Sequence, residues 1–380
     1  MPITAYSTSA QRELDLEQWL AINGHQAKDD PELLNLPLEL RELAARDIVC
    51  SSCSVDGATL VRGARSKATG RAVGQGHFRF TSSDGVNPHH QLCDFVDEGN
   101  DRSGEHLASF STDKSALTRA IRDLVCRGIS AGLFTSADLR SMRSWFFKER
   151  VSHTMLLDVE PDLIFWCKEA SDTRRRAGYW GLPFQREHTH LPGFDWDAAA
   201  AYEWVIRNKQ TLDLAEPGVH FHGPVIERAN RLVVKHGGQL VLDPSALRDK
   251  YRSAVHLSRF AADHLFGPTG KSPLANKHDS DWGAPGHSLL ALSALLLFLS
   301  DWQIDRAGAL YARLHALPPM PEGLDGNLMG LNPFHDFHAW QLIRSARLIG
   351  GARNDSRPVH EQVADVKAEL LSMQGDWINP

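Results

Sequence analysis

The chain has 380 residues, 42% of them hydrophobic and 23% charged, and a formal net charge of −6. That length supports two or three domains with a sizeable core, and the composition is that of an ordinary globular protein. The acidic balance excludes a uniformly basic nucleic-acid coat protein but leaves room for a local basic face.

Residues 1–45 read as a helical lead. A short polar tail precedes a helix over Leu14–Ile22, where Leu14, Leu16, Trp19, Leu20 and Ile22 are apolar and Asn23-Gly24 supplies C-terminal cap chemistry. A second helix is predicted around Pro37–Arg46.

Residues 46–98 carry the clearest chemistry. Cys50-Ser-Ser-Cys53 is a metal-chelating knuckle, and His90-Gln-Leu-Cys93 is the return pair. His89, at x3 spacing from Cys93, and His77 are the competing imidazoles. Four soft or borderline ligands in two close pairs suit tetrahedral Zn2+, and with no open position such a site is structural. Short strands are predicted over 58–63 and 75–80, turning at Lys67–Gly70. Pro88 then starts a helix that carries the second ligand pair on one side of a turn. Knuckle, hairpin and helix have the layout of a treble clef. The segment 58–80 contains Arg62, Arg65, Lys67, Arg71 and Arg79 and no acid. On a hairpin this is a basic finger suited to phosphates, which fix position without reading sequence. The competing reading is a solvated loop balanced by acids elsewhere.

Cys50-x2-Cys53, the basic hairpin, His77-Phe78 and His90-x2-Cys93 together resemble the zinc finger of competence-protein CoiA-like proteins. Glu105-His106 followed by Lys114 resembles the helix after that finger, so the likeness covers about residues 46–120. It implies bacterial DNA handling and a PD-(D/E)xK-type nuclease domain behind the finger. Such a core needs an acid, then an acid-x-Lys on the next strand, to hold a divalent metal. Asp158, Glu160, Asp162 and Lys168 fall in the right region, but the residue two before Lys168 is Trp166, which departs from the family pattern.

Asp97–Gly104 is a polar linker. Behind it, 105–195 is predicted as a mixed helical and strand region. Ser111 or Thr112 caps a helix that Gly128 stops, and Ser136 caps another. Met155–Cys167 is either two strands broken at Glu160-Pro161 or a strand then a helix, and 171–195 is a long loop. Residues 196–380 form a mainly helical domain, with helices over 198–208, 224–236, 245–266, 288–317, 338–349 and 359–373 and polar loops at 267–286 and 318–333. The apolar run 288–299 is shorter than the ~20 residues a bilayer span needs, so no membrane partner is expected. Five cysteines, of which Cys126 and Cys167 stand alone, make no disulfide framework, and with no signal peptide they predict a cytoplasmic protein.

Weaker motifs remain. His188-Thr-His190 and His220-Phe-His222 would each share a metal if they lay on strands, with Asp279 or Asp281 supplying acids. His-rich loop sequence is the favoured reading of both. Arg174–Arg176 with Tyr179-Trp180 mixes cations and aromatics as a single-strand binding surface does, but a solvated loop with a packed aromatic is the favoured reading. Gly267–Ser272 is not a P-loop, because Leu265 stands where that motif needs glycine. His335 and His338 lie among Phe334, Phe337 and Trp340, which reads as aromatic packing.

The sequence therefore predicts an α+β protein: a small treble-clef-like zinc module followed by a larger, mainly α-helical body. The leading function is nucleic-acid binding, DNA in preference to RNA, within a bacterial DNA-processing, defence or mobile-element complex of several protein subunits. The alternatives are a metal-dependent nuclease or hydrolase using the His and Asp clusters, and a protein–protein adaptor whose zinc module is scaffold only.

Overall fold

The computed structural model describes all residues except 1–3, 27–29, 31, 66–71, 75, 82–85, 97–105, 110–114, 181–183, 220, 266–285, 319–328 and 379–380. The chain opens with two antiparallel strands, β1 (Thr4–Ser7) and β2 (Arg12–Asp15), followed by helices α1 (Leu16–Ile22) and α2 (Leu38–Asp47). The predicted polar tail is thus a hairpin, and α1 starts two residues later than expected. Alternation explains it: Ala5 and Ser7 on β1 and Leu14 on β2 turn inward, and Gln11 takes a left-handed conformation (φ 53°) in the turn. Asp15 and Gln18 then form a capping box that opens α1.

Strand β3 (Ile48–Val49) pairs with β1 and completes a three-stranded sheet. Strands β4 (Ala58–Val61), β5 (Ala64–Arg65), β6 (Ala72–Gly74) and β7 (His77–Phe80) make two successive ladders, β4 with β7 and β5 with β6, so the arms of the expected hairpin pair, while its predicted turn at Lys67–Gly70 lies outside the described residues. Strand β8 (Leu107–Ser109) precedes α3 (Ala116–Ser130) and α4 (Ser136–Ser152). The cap of α3 is Ser115, whose Oγ accepts from Thr118 N–H at 3.1 Å; Ser111 and Thr112 lie outside the described residues. Helix α4 is capped by Thr135, not Ser136, in a box with Asp138. Gly128 does not stop α3. It sits inside the helix, where a Cβ would fall 2.3 Å from the Phe134 ring, and the chain turns at Gly132 (φ 67°).

Next come β9 (Thr154–Leu156), α5 (Pro161–Trp180), α6 (Trp196–Arg207), α7 (Lys209–Leu212), α8 (Gly223–His236) and β10 (Leu240–Leu242), which pairs with β9. Met155–Cys167 is therefore strand then helix. Helix α5 runs on through 171–180, where the sequence read as loop, and Arg174–Arg176 lie on it. Helices α9 (Arg248–Asp263), α10 (His287–Leu299) and α11 (Ile304–His315) follow, then β11 (Met329–Leu331), which pairs with β8. Helices α12 (Phe337–Ala352) and α13 (Val359–Ile378) end the chain. The architecture is α+β with a mainly helical body.

The contacts divide the chain into two compact units, each built from two stretches. One comprises Met1–His153 and Ala246–His335, the other Thr154–Ser245 and Asp336–Pro380. The predicted linker lies outside the described residues, and the divisions expected near 98–105 and at 195/196 fall inside these units, not at their borders. In the first unit α10 is apolar all round, with Ser288 to Leu297 buried, and it packs on α3, α9 and α11. No single helix among the described residues is long and apolar enough to cross a membrane, and the pair α10–α11, which is apolar enough taken together, bends by 114° at its break. The second unit has its own core, in which Ile164, Trp166, Trp204, Leu232, Leu342 and Ile343 are buried.

Candidate metal centre

Asp47, the last residue of α2, sets the approach to the first ligand pair. Its carboxylate accepts from Ser7 Oγ (2.6 Å), Thr8 Oγ1 (3.0 Å), Ser9 N (2.7 Å) and Trp19 Nε1 (2.8 Å). Burial pushes this carboxyl up, but the bonds from Ser7, Trp19 and Ser9 outweigh it and bring it down to about 2. The hairpin, α1 and the end of α2 are thereby tied to one point, three residues before Cys50.

The knuckle folds on itself: Cys50 N–H donates to Val55 C=O at 2.8 Å and Ser54 N–H to Cys50 C=O at 3.1 Å. Ser54 takes the left-handed conformation (φ 60°) that lets the chain reverse. Ser52 N–H points at Cys50 Sγ (3.4 Å), and across the site Phe95 N–H points at Cys93 Sγ (3.4 Å). Each sulfur thus receives an amide from two residues on, which favours a thiolate.

Cys50, Cys53, His89 and Cys93 bring one ligand atom each to within 4.8 Å of all the others. The separations are 3.7 Å between the sulfurs of Cys50 and Cys93, and 3.3 and 3.5 Å from His89 Nδ1 to the sulfurs of Cys53 and Cys93. Tetrahedral bonds of ~2.3 Å to sulfur and ~2.0 Å to nitrogen place ligand atoms about 3.5–3.8 Å apart, so this donor set fits a cation at its centre. None of the cysteines is in a disulfide. Burial pushes the Cys50 thiol up. Cys93 is drawn down by Cys50, but Cys53 and burial prevail and leave it at about 12, while bonds from the Cys50 and Cys93 sulfurs hold Cys53 low. Three sulfurs this close cannot all ionise without a positive charge among them.

The fourth member of the cluster is His89, not His90. No helix starts at Pro88. Asn87 Oδ1 accepts from His89 N–H (3.0 Å), and Cys93 N–H donates to His90 C=O (2.8 Å) in a turn. This turn aims His89 inward against the Phe80 ring (centroids 5.1 Å apart) and leaves His90 exposed. The ring of His90 meets Phe147, and its Nδ1 accepts from Leu92 N–H at 3.1 Å. His77 is on β7 opposite Val61, outside the cluster. Asp94, next to Cys93, is buried and pairs with Arg150 of α4 at 2.7 Å. Burial pushes its carboxyl up against the pull of Arg150 and Arg143.

The hairpin between the two ligand pairs alternates as a half-buried ribbon does. Phe78 and Phe80 point inward, Phe78 edge-on to Trp19, and Arg79 between them is exposed. Arg62 pairs with Glu32 at 2.9 Å, both side chains more than half exposed, a weak bond in water. Lys67, Arg71 and the side chain of Arg65 lie outside what the structure describes. Among the described residues, the His-x-His pairs and the 158–168 acids do not gather into a site. His188 and His190 lie on a 3-10 helix, where alternate residues do not share a face, and His188 Nδ1 accepts from Gln185 N–H. His222 precedes α8, and His220, Asp279 and Asp281 lie outside the described residues. Asp158 pairs with Arg347 and Lys168 with Asp172 on α5, so each is engaged with a different partner. Arg174 and Arg175 pair with Asp213 and Asp172.

Comparison with models of known protein families, with curated proteins and with solved structures finds no match to this chain.

Proposed function

We propose that the chain is a nucleic-acid-binding protein whose N-terminal module is held by a structural Zn2+ on Cys50, Cys53, His89 and Cys93. One observation carries the reading: the acid-free hairpin 58–80 is bracketed by the two halves of the Cys3His cluster, and Phe80 at its base packs on the ligand His89. An ion there clamps the base of the hairpin and leaves its basic side chains to meet phosphates. With four protein donors the ion has no open position and does no chemistry. The likeness to the CoiA-like finger supports DNA as the partner, and the role in a multi-subunit bacterial complex follows from that likeness alone.

The test is binding of duplex and single-stranded DNA against salt for Arg62→Ala/Arg79→Ala. The account expects weaker binding, with the slope of log affinity against log salt falling by about 2 for two lost duplex contacts. Unchanged affinity and slope would remove the nucleic-acid claim.

A further inference from the structure

The first unit gathers a second group of histidines apart from the cysteines. His287 is the first residue of α10, His335 lies in the turn after β11, and His106 precedes β8. The pairing of β8 with β11 brings Leu107 opposite Leu331, and Asn332 N–H donates to His106 C=O at 2.7 Å. Nδ1 of His287 stands 3.1 Å from Nδ1 of His335, with the rings perpendicular and their centroids 4.9 Å apart. The His106 ring is 6.2 Å from that of His335, and its Nδ1 is 3.6 Å from the buried Asp94 carboxylate.

The protonation of the pair follows from Asn332. Its Oδ1 accepts from Phe334 N–H at 3.0 Å, so its amide nitrogen is the atom that faces His287 Nδ1 at 3.1 Å. An amide nitrogen only donates, so His287 Nδ1 carries a lone pair. A neutral imidazole also suits the start of α10, where the helix dipole opposes a cation. The facing Nδ1 of His335 then donates its proton to that lone pair. One proton is thus shared between two ring nitrogens 3.1 Å apart. Two neighbouring nitrogen ligands on a first-row ion, with bonds of ~2.1 Å, stand about 3.0–3.4 Å apart.

We infer that His287 and His335 form a second cation site, distinct from the cysteine centre, for a borderline divalent ion that imidazole nitrogen binds, such as Co2+, Ni2+ or Zn2+. Binding releases the shared proton to water and gives up the bond from Asn332 to His287, while Asn332 Oδ1 stays on Phe334 N–H. His106, its Nδ1 3.6 Å from the Asp94 carboxylate and its ring 6.2 Å from that of His335, stands beside the pair.

The experiment takes the full chain with one zinc on the cysteine centre and weaker-bound metal removed by mild chelation, titrates it with Co2+ and follows heat and absorption. One further equivalent is expected, with the spectrum of nitrogen and oxygen ligation and no thiolate-to-metal band. His287→Gln and His335→Gln each weaken it on the order of tenfold or more, and His188→Gln leaves it unchanged. The wild-type spectrum decides the matter even where a variant fails to fold, because a thiolate band would put the ion on the cysteines. That band, the absence of a further equivalent, or unchanged affinity in both variants would overturn the inference.

Discussion

Replacing Asp47 by Asn changes one charge and almost no volume at the point where β1, α1 and α2 meet. The carboxylate takes two donors on each oxygen: Ser7 Oγ and Trp19 Nε1 on Oδ2, and Thr8 Oγ1 and Ser9 N on Oδ1. An amide offers one acceptor oxygen, so two of the four donors must face an NH2 group. Hydrogen bonds to a charged group contribute about 1.5–3 kcal/mol each and neutral ones about 1 kcal/mol, so exchanging four of the first for two of the second is expected to cost at least about 4 kcal/mol at neutral pH. A second consequence fixes the sign with pH. The folded carboxyl titrates at about 2 against an ordinary 3.8. Its contribution is complete above pH 3.8 and is lost as pH falls toward 2. The depression amounts to about 1–2 kcal/mol once screening at the partly buried donors is allowed for. Urea unfolding of wild type and Asp47→Asn, followed at pH 7 and again near pH 2.5, reads both. The gap between the two proteins should narrow at low pH, because the other carboxylates titrate in both and cancel. A variant within about 0.5 kcal/mol of wild type at pH 7, or a gap that does not change with pH, would refute the reasoning.

Arg150→Ala strips the buried Asp94 of its 2.7 Å partner beside Cys93. A loss of about 3–5 kcal/mol is expected, together with faster zinc release to a chelator, measured by denaturation and by a colorimetric zinc indicator. Gly128→Ala favours helix by intrinsic propensity, yet its Cβ meets the Phe134 ring at 2.3 Å and a Leu314 methyl at 3.0 Å. The overpacking outweighs the propensity gain, and a net loss of about 1–2 kcal/mol is expected in the same unfolding assay.

The parts legible in sequence are those set by local rules. The cysteine spacing fixed the knuckle, and the period of two in Phe78, Arg79 and Phe80 marked a strand with one buried face. The apolar run at 288–299 identified a core helix. What was not legible depends on partners far along the chain. His89 and His90 are adjacent and both within reach of Cys93 by spacing, and only the turn set by Asn87 and the contact with Phe80 separates them. The opening hairpin looked like a polar tail because Ser7, Thr8 and Ser9 find their common acceptor only in Asp47, some 40 residues away. Gly128 read as a helix stop because the ring that fills its space comes from Phe134. The histidines 106, 287 and 335 carry no common motif, since β8, α10 and β11 bring them together. Asp94 and Arg150 had no sequence signal beyond a charge beside a ligand.

The central claim is that three cysteines and His89 hold one zinc ion. Elemental analysis of the purified chain, run in parallel on wild type, Cys53→Ser, His89→Ala and His90→Ala, tests it most directly. With the His287/His335 site left empty by mild chelation, the account predicts one zinc per chain in wild type and in His90→Ala, and loss of that zinc in Cys53→Ser and His89→Ala. Zinc kept in His89→Ala and lost in His90→Ala, or no metal in the wild-type protein, would contradict it.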